Sequence, residues 1–494
     1  MRRHAGVGPA PGAAAAGRGA PDAPDAVVVG SGPNGLAAAL VLAEAGWRVE
    51  VWEAATVPGG GLHTIEDPPG FLRDTCASVF PMAGMSPAFR HPDLTAHGLE
   101  WCDAPVQLAH PLDGGRAVLL HRSVTATASG LGGDGPRYRR LFEPLLEAAD
   151  GIAETVLSGL RRPRLQPAVA RFGAAALRSA RSFLGGFTTD EARALLAGCA
   201  AHASRPLSEP GTAGFALFLA LLGHRSGWPV VRGGAGRLAE ALVAAIEARG
   251  GQVHTGRPVG SLRDLRRGRA TLLGVGPAQV LRIAADDLPP RYAQALRRYR
   301  YGPGICKVDW TLAEPVPWQA PGVAQAATVH LGGTATEIAA AEGAVAAGRH
   351  PDRPFVILTQ PGAADPGRAP PGRAVAWGYC HTPPGSEHDA GAAIEAQVER
   401  FAPGFRDVVL SRRVTTAAAV ARQNPCFVGG DIGTGATDLR HLFLRPVPAL
   451  RPWITPVRGL YLCSAATPPG PGAHGMCGWH AARTVLAQAR RGRI

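Results

Sequence analysis

A β-branched run, Ala26-Val27-Val28-Val29, passes directly into Gly30-Ser31-Gly32-Pro33-Asn34-Gly35, and Glu53 stands at the end of the next apolar run, Val49-Glu50-Val51-Trp52. Strand, G-x-G-x-x-G turn, an Ala/Leu-rich helix stopping at Gly46, and a second strand ending on a carboxylate make a complete dinucleotide-binding βαβ unit. Each glycine has its own reason. Gly30 allows the tight turn out of the strand, Gly32 lets a pyrophosphate approach backbone N–H groups, and Gly35 lets the helix pack against the sheet. The phosphates then fall at the positive end of the helix that begins near Pro33. Glu53 is placed to accept hydrogen bonds from the adenosine ribose hydroxyls. With 65 glycines in 494 residues the spacing alone arises by chance, so the strand before, the helix after and the acid beyond carry the reading.

The length predicts two or more domains, and 46% hydrophobic content is ample for sizeable cores. A formal charge of +13 raises the question of nucleic acid, but the basic residues are spread along the chain and almost all are arginine. With no zinc finger, RNP motif or lysine-rich tail, no nucleic-acid partner is expected. None of the eight cysteines forms C-x-x-C, which points to a reduced, cytoplasmic setting. His474, Cys477 and His480 have a ligand-like spacing, yet positions i, i+3 and i+6 sweep about 300° around a helix, so no metal is expected. Residues 1–24 are mainly Ala, Gly and Pro with no apolar run, and read as a disordered extension or an upstream start. The apolar run 213–223 is too short to span a bilayer.

The nucleotide-binding signals recur along the chain. Gly233-Gly234-Ala235-Gly236 leads into a helix that stops at Gly250-Gly251, 252–255 and 270–275 read as strands, and Gly276-Pro277 opens a further helix. Residues 459–463 form another strand, 464–478 a Gly/Pro loop and 479–490 a helix. The predicted fold is α/β: a Rossmann-like domain from 25–80, 228–309 and 416–494, interleaved with a mixed α+β substrate domain from 81–227 and 310–415. Arg164, Arg171, Arg178 and Arg181 lie among apolar residues, as a solvated helix face or a peripheral membrane contact would. Phe355-Val356-Ile357-Leu358 and Ala374-Val375-Ala376-Trp377 read as strands walling a cavity.

The βαβ unit, Val57-Pro58-Gly59-Gly60-Gly61 and the segment from Leu462 to Gly470 resemble the phytoene desaturase and flavin amine oxidase superfamily. Gly429-Gly430-Asp431-Ile432 and the segment from Gly475 to Arg483 resemble the desaturase-like group named for pyridine nucleotide-disulphide oxidoreductase domain-containing protein 2. The resemblance covers nearly all of the chain after residue 25 and implies bound FAD. A single dinucleotide unit agrees with FAD rather than NAD, since Gly274-Val275-Gly276-Pro277-Ala278-Gln279 lacks the third glycine of a second one. The resemblance adds Gly60, Gly61, Ala466, Thr467 and Gly475 as cofactor contacts. Relatives carry an arginine where Gly61 stands, leaving His63 as a replacement contact or a plain surface histidine.

Lys307 is the only lysine, and its register in Gly304-Ile305-Cys306-Lys307-Val308-Asp309-Trp310 resembles the amine oxidase strand whose lysine reaches flavin N5 through a water. A compact ammonium can hold one water and change protonation when buried. Lys307 is therefore a catalytic candidate, as is His474, each against a structural role. The leading expectation is an FAD-dependent dehydrogenase or desaturase of a largely apolar small molecule, with Phe215–Leu222 as tunnel lining or core helix. The alternatives are an amine oxidase, a flavin-dependent isomerase and a regulatory flavoprotein without turnover. Against amine oxidation, the loop from Cys463 to Gly478 holds no tyrosine or tryptophan for an amine cage.

Overall fold

The computed structural model describes residues 23–159, 166–266 and 268–494. The tail expected over 1–24, save its last two residues, lies outside them, as do Arg164 and Leu165.

The βαβ unit opens a five-stranded parallel sheet in the order Leu460–Leu462, Ala270–Leu273, Ala26–Val29, Val49–Trp52, Gln252–His254. Ala26–Val29 is central and fully buried, which is why its run is continuous rather than alternating. Helix Pro33–Glu44 begins with proline at its first turn and packs against helices Gly236–Glu247 and Met476–Ala489. The last contact is so close that a Cβ on Gly478 would fall 1.7 Å from the Asn34 carbonyl oxygen. Leu36, Leu40, Leu238, Leu242 and Val485 share this core, each burial stabilising by roughly 1.5–3 kcal/mol. The C-terminal helix starts at Met476, earlier than the 479 expected, because Gly475 turns into it at φ 69°.

A seven-stranded mixed sheet faces this unit, ordered Val409–Thr415, Gly304–Leu312, Ala374–Thr382, Val356–Thr359, Thr328–Leu331, Leu108–Leu112, Arg116–Leu120. Period-two alternation divides its long strands between two environments. Cys306, Val308, Trp310 and Cys380 pack with Ile394 and Val398 of helix Gly391–Phe401. Ile305, Lys307, Asp309, Trp377, Tyr379 and His381 take the other face and line a cavity. The expected boundary between 309 and 310 falls inside the continuous strand Gly304–Leu312. That strand belongs wholly to the second sheet and brings Lys307 to the Asp74 carbonyl, at the end of the short strand Leu72–Asp74.

Helix Thr212–Arg225 is a core helix, with Ala216, Leu217, Ala220, Leu221 and Leu222 buried against helix Asp190–Ala201; from the greasy run only Leu219 reaches the cavity. Val169, Phe172, Phe183 and Leu184, beside the basic residues, are buried in the same core. Among the described residues, no helix is long and apolar enough to cross a membrane.

Candidate functional site

A cavity of about 1220 Å³ runs between the two sheets, with the glycine turn at one end and the face bearing Lys307 at the other. Gly30, at φ +93°, turns the chain out of the first strand. Gly35 has no room for a side chain, since its Cβ would fall 2.0 Å from the Gly30 carbonyl oxygen. Gly32 differs, because a Cβ there would meet no protein atom within 4 Å and would project into space that the protein leaves open. Gly32 also caps the helix without any side-chain hydrogen bond, leaving first-turn N–H groups for an anion. Asn34 lines this end, and its Oδ1 is buried with no partner among the described residues. An open cradle over an uncapped helix start, with an orphaned polar atom beside it, fits the diphosphate of FAD.

Glu53 is held by this turn. Its Oε2 accepts from the Ser31 N–H at 2.8 Å and the Ser31 hydroxyl at 2.7 Å, and its Oε1 accepts from the Ala55 N–H at 2.9 Å. A carboxylate has about four acceptor sites, so capacity for ribose hydroxyls remains. Gly60 lies against the turn, its Cβ position 3.0 Å from the Gly32 Cα. Gly61 and His63 also line the cavity.

Lys307 is 4% exposed; its Nζ donates to Asp309 Oδ1 at 2.6 Å and to the Asp74 carbonyl at 2.9 Å, and stands 4.6 Å from the centre of the Trp377 ring. Trp377 and Tyr379 stack with centroids 5.9 Å apart. Beside them Cys76 is partly buried, and desolvation pushes its thiol up to about 11 despite the nearby Lys307 charge.

The C-terminal loop reaches the cavity through Ser464, Ala465, Pro471, Gly472 and Ala473. Ala466 and Thr467 are fully buried behind it, with the Thr467 hydroxyl donating to the Ser464 carbonyl at 2.8 Å. The Gly475 Cβ position faces Phe89, Ala88 and Ala37, which makes this glycine a packing contact. His474 is also outside the cavity lining. Its Nδ1 accepts from the Met476 N–H at 3.0 Å, and burial pulls its pKa down to about 4. His480 Nε2 lies 2.8 Å from the Leu157 carbonyl oxygen, and Cys477 Sγ donates towards the Thr467 carbonyl, so the three residues of the ligand-like spacing turn to separate partners.

Sequence reasoning missed a histidine-rich cluster at the sheet end. His381 Nδ1 lies 3.0 Å from both carboxylate oxygens of Glu342, and its Nε2 lies 3.1 Å from the Ser204 hydroxyl. His202 Nε2 lies 2.9 Å from His330 Nε2. Burial lowers the pKa of His202 to about 3 and that of His110 to about 4. For His381 burial pulls the same way, but the Glu342 carboxylate outweighs it and the pKa is raised. The one available signal was histidine on cavity-facing strand positions, as at His381.

Over 545 aligned positions the chain is 27% identical to mouse (Mus musculus) pyridine nucleotide-disulfide oxidoreductase domain-containing protein 2, covering 94% of this chain and 93% of that one. It is 30% identical to the hydroxyneurosporene desaturase of Cereibacter sphaeroides over 293 positions, 54% of this chain and 55% of the relative. An oxidoreductase from Methanosarcina mazei shares the fold at a TM-score of 0.63 and 16% identity, covering 94% of this chain and 99% of that one. The family model of flavin containing amine oxidoreductases matches residues 34–308, more than half of the 494. Family and cradle together assign FAD as the cofactor. The chain is an oxidoreductase that belongs to the flavin containing amine oxidoreductase family.

Proposed function

We propose that the chain dehydrogenates a largely apolar small molecule by a desaturase-like reaction. The observation that carries this reading is the apolar lining between the two ends of the cavity, where Val79, Met82, Leu219, Trp228, Ile305 and Ile357 all reach the surface. The partial similarity to a hydroxyneurosporene desaturase supports it. FAD, when bound, supplies a hydride acceptor and later an electron donor. The chain's own residues hold the adenosine half at Glu53 and the glycine turn, exclude water from the apolar span, and present the Lys307 ammonium at the cavity wall. Lys307 Nζ is the site at which a proton is held or passed, with Asp309 as its counter-charge. Lys307→Met is expected to slow flavin reduction or reoxidation by at least about tenfold in stopped flow; two unchanged rates remove Lys307 from the chemistry.

A second reading, amine oxidation, is favoured by the stacked Trp377 and Tyr379. They supply from the second sheet the aromatic surface that the C-terminal loop lacks. Anaerobic titration separates the two readings. Bleaching of the flavin by isoprenoid alkenes and not by amines is the expected result, and bleaching by amines alone overturns the desaturase reading.

A further inference from the structure

We propose that Ser204, His381 and Glu342 form a nucleophilic acyl-transfer site in the cavity wall, able to cleave carboxylic esters of apolar acyl groups without any redox step. Three separate elements bring these residues together. Glu342 lies on helix Ala335–Ala346, His381 near the end of strand Ala374–Thr382, and Ser204 in the turn after helix Asp190–Ala201. All three line the cavity.

The hydrogen bonding has the polarity that the chemistry needs. Glu342 is 3% exposed and both its oxygens face His381 Nδ1 at 3.0 Å, which holds the proton on that nitrogen and leaves Nε2 as an acceptor. Nε2 lies 3.1 Å from Ser204 Oγ, within reach of the hydroxyl proton. Carboxylate, imidazole and hydroxyl thus stand in the order that activates serine in unrelated folds.

Two further observations set Ser204 apart from an ordinary hydrogen-bonded serine. Its φ is +53°, a left-handed conformation that non-glycine residues seldom adopt and that aims the side chain from a tight turn. The next residue, Arg205, also lines the cavity, and its Nε–H is buried with no acceptor among the described residues. Its Nη groups pair with Glu209 and Asp438, so Nε–H is the donor that the residue next to the nucleophile keeps for a developing oxyanion. Leu219, Trp228 and Ile357 on the same cavity surface offer an apolar acyl chain its contacts.

In the reaction, Ser204 Oγ bonds to the ester carbonyl carbon while its proton passes to His381 Nε2. The bond from carbon to the alcohol oxygen breaks, and the alcohol leaves with that proton. Water, deprotonated at the same nitrogen, then attacks the acyl carbon, frees the carboxylic acid and returns the proton to Ser204. Glu342 is a positioning residue, acting through His381. The groups facing His381 are Glu342, Ser204, Tyr379, His202 and the more distant Asp431.

The test treats the full-length, flavin-loaded protein with a fluorophosphonate, maps the adduct by peptide mass spectrometry, and follows hydrolysis of p-nitrophenyl butyrate. An adduct on Ser204 is expected, with labelling that rises with pH to a midpoint above 6.5, the ordinary histidine value, because the Glu342 carboxylate raises the His381 pKa. His381→Gln should slow labelling by about a thousandfold or more, and Glu342→Gln by about tenfold with a lower midpoint. Ser204→Gly, which suits the positive φ, should lose adduct and turnover while keeping the flavin spectrum. No adduct on Ser204, or labelling unchanged in His381→Gln while the flavin remains bound, overturns the proposal.

Discussion

At Gly32 a Cβ meets nothing, and at Gly35 it meets the Gly30 carbonyl at 2.0 Å, so one motif holds two glycines with opposite reasons. Gly32 has φ −61°, a value any residue adopts. Gly32→Val should therefore keep the fold by circular dichroism while weakening FAD binding by at least about tenfold in a flavin titration, about 1.4 kcal/mol or more. Gly35→Ala should lose flavin and fold together, because its obstacle is backbone. The glycines and Glu53 were legible because turn, helix start and strand end are neighbours in sequence. Ser204, His381 and Glu342 were not, because 177 positions separate the first pair and 39 the second. Ala466, Thr467 and Gly475 were legible as members of a loop, but which residue of a loop faces a cavity depends on turns that spacing does not encode.

Helix Asp190–Ala201 shows how an element prepares a site through a residue that never touches it. Gly198 lies against two imidazoles, its Cβ position 2.5 Å from His330 Nδ1 and 3.2 Å from His110 Nδ1. Gly198→Ala should thus destabilise the protein by about 1–3 kcal/mol despite alanine's better helix propensity, read as a lower urea midpoint. Most elements of the parallel sheet were legible, since buried strands bounded by glycine carry a local pattern. Strand Gly304–Leu312 straddles the domain boundary expected between 309 and 310. Its nine residues are all buried, and only pairing with Ala374–Thr382 and Val409–Thr415 shows which sheet they join.

Across the whole molecule, Asp74 ties the short hairpin of Thr64–Glu66 and Leu72–Asp74 to the start of helix Gly236–Glu247 and to the seven-stranded sheet. Its carboxylate accepts from the Thr64 hydroxyl at 2.6 Å and the Ala235 N–H at 2.9 Å and pairs with buried Arg368, while its carbonyl accepts from Lys307. Arg368→Met would leave that carboxylate buried without its cation. A loss of about 3–5 kcal/mol in urea unfolding is expected. Acid should act on the molecule as a whole too. Burial lowers His110, His224 and His474 from 6.5 to about 4, so the unfolded chain binds protons first and stability falls as pH drops from 6.5 towards 4. Each group contributes on the order of 3 kcal/mol at the lower end, and urea midpoints measured across that range check it. The interleaving also sets a timetable for synthesis. Gly478 closes onto Asn34, and the edge strand Leu460–Leu462 completes a sheet that begins at Ala26. A ribosome that has made the first 450 residues has therefore made the nucleotide turn but not the helix that backs it. Flavin capture must await the first turn of the C-terminal helix, so until that helix docks the nascent chain depends on other protection for the apolar flank of helix Pro33–Glu44.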